Sequence, residues 1–202
     1  MKDRVFSGDD AELPLMMEAM ALLARSVRNP RLGAQKARRA VAMARARVLF
    51  RGCALGARVS ADGKVLVQNQ GSLSIGSRVH FMGGMLPTRL CTGPAGTLTI
   101  GERCVFNYGA VLDAQERIEI GNGCLFGSMV QIIDSGAAGT GPIVFGDEVW
   151  VAHGVVVHPG VKIGKGAVLS AGAVITADVP EGHMAIGNPA RSMKVSTAKG
   201  AR

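Results

Sequence analysis

From residue 145 the chain can be written as six consecutive blocks of six: FGDEVW, VAHGVV, VHPGVK, IGKGAV, LSAGAV and ITADVP. Each block opens with an aliphatic or aromatic residue. A small residue usually follows, and another small or aliphatic residue holds the fifth place. The template also fits IGSRVH and FMGGML from Ile75, IGERCV, FNYGAV and LDAQER from Ile100, and IGNGCL and FGSMVQ from Ile120, with a worn copy from Leu55. A short fixed period means one structural unit stacked along one axis, and few folds can satisfy it.

Three hexads make one turn of a triangular coil. The first residue of each hexad points inward and stacks on its equivalent one turn away, and the small second residue lets the chain round the corner. Turns stack at the strand spacing of about 4.8 Å, so about six turns give a prism roughly 29 Å long. Each backbone group inside the stack then pairs with the turn above or below. The expected fold is all-β, a parallel coil, and its composition agrees: glycine is high at 28 of 202 residues and aromatics are only 4%. The register breaks at about 87–98 (PTRLCTGPAGTL) and about 134–142 (DSGAAGTGP). Both stretches are expected to be loops leaving the coil, where function tends to gather.

The first fifty residues read differently. Two helical pieces are expected, one over about 11–27, rich in Leu, Met and Ala, and one over about 34–50, amphipathic and basic. Asn29-Pro30 and Gly33 punctuate them. The chain thus divides into a basic helical segment at 1–51, the repeat at 52–180, and an extension at 181–202. Net charge is +8, and residues 24–58 carry ten Arg or Lys with no Asp or Glu. Such a block suits a solvated helix face, or a phosphate-rich surface through peripheral membrane contact. With Phe50 as its one aromatic it offers little for bases to stack on, so no nucleic acid is expected.

The stretch LPLMMEAMALLA is interrupted by Glu18 and follows an acidic start, unlike a signal peptide. It is shorter than the roughly 20 residues a spanning helix needs. A cytoplasmic protein is expected. Cys53, Cys91, Cys104 and Cys124 show no CxxC pair or metal spacing and are read as reduced thiols. Cys104 and Cys124 fall at the inward fifth place, as small hydrophobes.

The repeat, with GDEVWVAHG, PGVKIGKGAVLSAGAVITADVP and GNPAR, resembles the hexapeptide-repeat acyltransferases over about residues 52–194. That resemblance implies a left-handed parallel β-helix with an N-terminal α-helical segment. It implies a homotrimer with active sites between neighbouring prisms, acetyl-CoA as acyl donor, no metal, and a sugar or polysaccharide-precursor hydroxyl as acceptor. Trp150 matches a tryptophan beside the acceptor and cofactor cleft, and an outward aromatic buried in the trimer interface explains it equally well. Ala152, Ala171 and Gly172 match small positions where backbone approaches the pantetheine arm, and corner geometry explains them equally well. Arg191, assisted by Lys194, matches the basic residue that reaches coenzyme A phosphate. Asn107 and Asp113 match an Asn and an Asp lining the acceptor site of the sugar acetyltransferase branch. Either could instead serve a tight corner or a turn.

The maltose-type branch carries its catalytic histidine in the loop before the Asp-Glu-Val-Trp segment. Here that loop, DSGAAGTGP, has none. His153, at the third place of VAHGVV, is the candidate general base, since related enzymes place theirs in a similar segment; a corner residue of the coil is the equal alternative. His80 lies about three turns earlier, roughly 14 Å away along the stack, and His183 in the tail reads as solvated. A competing resemblance is to γ-class carbonic anhydrases. His153 and His158 share the His-x4-His spacing of that zinc site, and Asp134 is the nearest candidate for a third ligand. A trimeric scaffold without catalysis is the third reading.

Overall fold

The computed structural model describes residues 30–137 and 139–194. The chain divides into two compact units, Met1–Val41 and Ala42–Arg202. The helix expected over 11–27 lies outside the described residues. A helix runs Pro30–Leu49, starting earlier than the expected 34. Proline has no N–H to leave unpaired and its fixed φ suits a first helical position, so Pro30 opens this helix. Lys36, Arg38, Arg39, Arg45 and Arg47 are exposed along it. In the second unit Ala42, Ala46 and Phe50 recur at the four-residue helical spacing and are buried.

From Ala54 the chain winds as a parallel coil with three faces. The first face stacks Ala54–Leu55, Ser72–Ile75, Thr97–Ile100, Arg117–Ile120, Ile143–Phe145 and Lys162–Ile163. The second stacks Ser60–Ala61, His80–Phe81, Val105–Phe106, Leu125–Phe126, Trp150–Val151 and Val168–Leu169. The third stacks Val65–Asn69, Thr88–Thr92, Val111–Ala114, Gln131–Ile133, Val156–Val157 and Val174–Ile175. Every pairing between successive turns is parallel and in register, as Ile75 on Ile100, Ile100 on Ile120, and Ile120 on Phe145 show.

Burial follows the hexad. First-place Phe145, Val151, Val157, Ile163, Leu169 and Ile175 are all buried, as are fifth-place Cys104, Cys124, Val149, Val155, Ala167 and Ala173. The second-place glycines have a steric cause. A Cβ on Gly56, Gly76, Gly101 or Gly121 would stand 2.5–2.7 Å from the backbone of the corresponding glycine one turn on. Inside the coil Phe81, Phe106 and Phe126 stack with centroids 5.2 and 4.5 Å apart. Phe50 closes one end of this ladder at 5.4 Å, and Phe145 meets the other edge-on at 5.6 Å. Such pairs add about 0.5–1.5 kcal/mol each beyond area burial.

The earlier turns depart from a strict three-hexad count. The stretch 87–98 is no loop: it holds the strand Thr88–Thr92, a tight turn at Gly93 to Gly96, and the start of the strand Thr97–Ile100. The chain leaves the coil just before it, over Gly83 to Pro87. The other break is a loop as expected, ending in a small hairpin of Ser135–Gly136 and Gly139–Thr140. After the coil, His183–Gly187 adds to the second face in parallel, and Ala190–Lys194 folds back on it antiparallel. Arg191 and Lys194 lie on this last strand, where charge blunts an open sheet edge.

Candidate active site

His153 stands at the corner between the second and third faces, after the strand Trp150–Val151 and before Val156–Val157. Backbone bonds give its neighbours along the stack. Met129 N donates to Tyr108 O, Gly154 N to Ser128 O and Gly172 N to His153 O. Tyr108, Ser128, His153 and Ala171 therefore form one column, a turn apart. The adjacent column is Asn107, Gly127, Ala152, Ser170 and Ile186, from the bonds of Asn107 N to Phe126 O, Gly127 N to Val151 O, Ala152 N to Leu169 O and Ser170 N to Ala185 O. Arg191 pairs with Ile186 on the closing strand, which extends that column by one strand. A Cβ on Gly127 would stand 2.7 Å from His153 N, so glycine brings the two turns together at this corner.

The His153 ring is exposed, and its Nδ1 lies 2.7 Å from Ser128 Oγ. Ser128 is 9% exposed. One ring nitrogen is thus fixed by a buried hydroxyl, and Nε2 has no partner among the described residues. When Nδ1–H donates to Ser128 Oγ, Nε2 keeps its lone pair and can accept a proton. Gly84 packs against the Tyr108 ring so closely that a Cβ would overlap it. Leu86 and Met129 flank Gly109, and Met85 and Leu86 are exposed beside them.

The predicted site residues divide between corners. Ala152, Ala171 and Gly172 gather at the His153 corner, and a Cβ at Gly172 would meet nothing within 4 Å. Asn107 shares the corner two turns away, with its Oδ1 accepting from Tyr108 N at 2.8 Å. Trp150 points outward from the second face, 56% exposed, in one column with Val105, Leu125 and Val168. Lys194 is at the far end of its strand, opposite His183. Asp113 lies elsewhere, at the end of the third face, where Gln115 Nε2 donates to its Oδ1 at 2.6 Å. Within one chain it does not join His153.

His158 follows the strand Val156–Val157, so that strand separates it from His153. Asp134 is fully buried, and its carboxylate accepts from Gln115 N at 2.8 Å, Glu116 N at 2.9 Å and Arg117 N at 2.7 Å. It caps the passage from third face to first. No group of three or more His, Cys, Asp or Glu side chains is poised to hold a metal ion among the described residues.

Sequence reasoning missed Ser128, because a residue one turn away is found only when the turn length is known. It also missed the partners of His80. His80 Nδ1 lies 2.7 Å from Ser60 Oγ, and its Nε2 is 3.2 Å from Asp62 Oδ2, so both ring nitrogens are held. His183 is not a solvated tail residue. It opens the strand His183–Gly187, half-buried, and its Nδ1–H donates to Glu181 O at 2.8 Å.

Residues 142–177 match the family profile described as bacterial transferase hexapeptide (six repeats). A Schizosaccharomyces pombe protein named as an acetyltransferase is 37% identical over 105 residues, covering 46% of this chain and 51% of that one. The chain thus spans about half the length of that curated relative. Among solved structures, PerB from Caulobacter crescentus in complex with CoA and GDP-perosamine aligns at a TM-score of 0.54 and 26% identity, over 67% of this chain and 56% of that one. The hexapeptide-repeat-containing acetyltransferase VCA0836 from Vibrio cholerae aligns at 0.51 and 25%, over 77% and 80%. In its repeat, its coil and these likenesses, the chain is similar to hexapeptide-repeat β-helix proteins, some of them acetyltransferases.

Proposed function

We propose that the chain is a coenzyme A-dependent acyltransferase that moves an acetyl group to a sugar or polysaccharide-precursor hydroxyl, with His153 as general base. The observation that carries this reading is the exposed His153 ring fixed through Nδ1 by buried Ser128, among the small residues Ala152, Ala171 and Gly172. The acceptor oxygen approaches Nε2, which takes its proton. That oxygen bonds to the thioester carbonyl carbon, the C–S bond breaks, and the proton passes from the imidazolium to the leaving thiolate. A backbone N–H at the corner suits the developing oxyanion. No side-chain nucleophile is needed, so the thiols play no part.

Small residues at the His153 corner leave room for a thin extended arm along the coil axis. Arg191, one strand past Ile186 in the Ala152 column, stands where that arm's phosphates would end. Trp150, Leu125 and Val168 make an apolar stripe along the second face. In a homotrimer that stripe packs against a second copy, and Asp113 would serve a site only through such a neighbour. The coenzyme A complex of PerB, at 26% identity, supports the donor class.

The zinc reading fares less well. It needs His153, His158 and a third ligand together, yet the two histidines stand at different corners, and Asp134 holds three backbone amides. The test is calorimetric titration of the protein with acetyl-CoA, followed by turnover of His153→Ala with a panel of sugar acceptors. Micromolar donor binding, retained in His153→Ala while turnover is lost, is the expected result. No donor binding by a folded protein would overturn the acyltransferase reading, and full turnover in His153→Ala would overturn the role of the histidine.

A further inference from the structure

The corner between the first and second faces turns through one left-handed residue per turn. Its N–H donates to a carbonyl one turn below: Arg78 N to Ala57 O, Arg103 N to Ser77 O, Gly123 N to Glu102 O, Glu148 N to Asn122 O, Gly166 N to Asp147 O, and Gly182 N to Lys165 O. Read along the stack, the column is Arg58, Arg78, Arg103, Gly123, Glu148, Gly166 and Gly182. The three arginines have φ of 59°, 61° and 56°. Five non-glycine residues have positive φ among the described residues, and three of them are these consecutive arginines.

An L-residue in this conformation costs about 1–2 kcal/mol over the relaxed backbone, a penalty that glycine escapes. The later turns mostly use glycine. The three arginines also repel one another. The turn spacing sets them about 4.8 Å apart in a line, where like charges facing water repel by roughly 1 kcal/mol. All three are exposed, and none has a carboxylate within ion-pair distance among the described residues. Glu102 precedes Arg103 without pairing to it. The fold thus gains nothing internal from the ladder.

We propose that Arg58, Arg78 and Arg103 form a binding ladder for a ligand carrying linked phosphate groups, pyrophosphate or longer. A guanidinium presents its donors as a planar fork that matches phosphate oxygens, and it stays charged at any working pH. A row of three meets successive charges of a linear oligophosphate, whereas a lone orthophosphate engages one or two rungs. The ladder ends at Gly123, and the carboxylate of Glu148 beyond it bars further anion. This inference does not depend on the role of His153.

The experiment is calorimetric titration of the full chain with orthophosphate, pyrophosphate and tripolyphosphate. It is run on the wild type and on the triple variant Arg58→Gly, Arg78→Gly, Arg103→Gly. Glycine is the residue this backbone favours, so the triple variant should melt at the same temperature or higher. Affinity should rise with each added phosphate, and the triple variant should lose at least tenfold for tripolyphosphate. A control variant, Lys36→Gln, Arg38→Gln, Arg39→Gln, should bind within twofold of wild type. No tripolyphosphate binding, equal binding in the triple variant, or loss in the helix control instead would overturn the ladder. Flotation with phosphatidylcholine vesicles containing phosphatidic acid separates the sources. Ladder-dependent flotation added to tripolyphosphate binding places the phosphates on a lipid, and tripolyphosphate binding without flotation places them on a soluble diphosphate.

Discussion

Ser128 Oγ and His153 Nδ1 lie 2.7 Å apart and join adjacent turns of the coil, with the hydroxyl buried and the imidazole exposed. A hydroxyl fixes the ring and its tautomer without adding charge. Ser128→Ala should therefore lower kcat by roughly ten- to a hundredfold and leave acetyl-CoA affinity within twofold. Ser128→Asp puts a carboxylate against Nδ1, which favours the imidazolium. Its acidic limb of kcat/KM should move to higher pH by roughly one unit. A pH–rate profile unmoved by the aspartate would mean that Ser128 does not set the state of His153.

Asp134 supports the passage of the chain from the third face to the first. Its two oxygens hold three consecutive backbone N–H groups, at residues 115, 116 and 117, inside the coil. Removing a buried carboxylate orphans donors that have nowhere else to turn. Asp134→Ala should destabilise by about 3–5 kcal/mol, measured by chemical denaturation. If Asp134 were a metal ligand instead, added zinc would raise the melting temperature of the wild type and not of the variant. The expected outcome is no such difference.

A glycine with no room for a side chain gives a third test. Gly121→Ala would place its Cβ 2.5 Å from Gly146 C and O, both of them backbone. Neither can move without parting two turns of the coil. A loss of about 3 kcal/mol, or roughly 10 °C in melting temperature, is expected. Gly136→Ala, in the small hairpin with open space around its Cβ, should be silent by the same measurement.

The hexad makes the interior legible in the sequence alone. It put Phe145, Val151 and Ile163 inside and gave the turn its three faces, because inward packing repeats wherever the period repeats. It failed where the count did. The strand Thr88–Thr92 was hidden because Gly83 to Pro87 shift the phase just ahead of it. Turns of unequal length likewise hid Ser128 from His153, 25 residues apart, and Ser60 from His80, 20 apart, which are neighbours through the stack. Resemblance grouped Asp113 with Asn107, yet the third-face strand carries Asp113 to the opposite corner. Motif matching cannot see which corner of a prism a residue occupies. Asp134 was legible as an acid and not as a cap, since its three partners belong to the previous turn.

The four cysteines yield a last prediction about chemistry that does not occur. Cys104 and Cys124 are buried at fifth places, and their thiols donate to Gly121 O at 3.2 Å and Gly146 O at 3.3 Å. The Cys104 side chain and then burial push Cys124 up from the ordinary thiol range, so it stays protonated. Burial also pushes Cys53 and Cys91 up, but both remain partly accessible. The thiolate is the reactive form, so Cys53, Cys91 and Cys124 should be sluggish; the Cys124 side chain pulls Cys104 down, but burial shuts it off from reagent, so only the accessible pair should react in the folded protein. Maleimide labelling followed by intact mass should show at most two adducts under native conditions and four in guanidinium. Cys53→Ser with Cys91→Ser should retain full acyl transfer, because the direct mechanism forms no acyl-thiol. Loss of transfer on native labelling, or an acetylated cysteine after incubation with acetyl-CoA, would replace that mechanism with a covalent one.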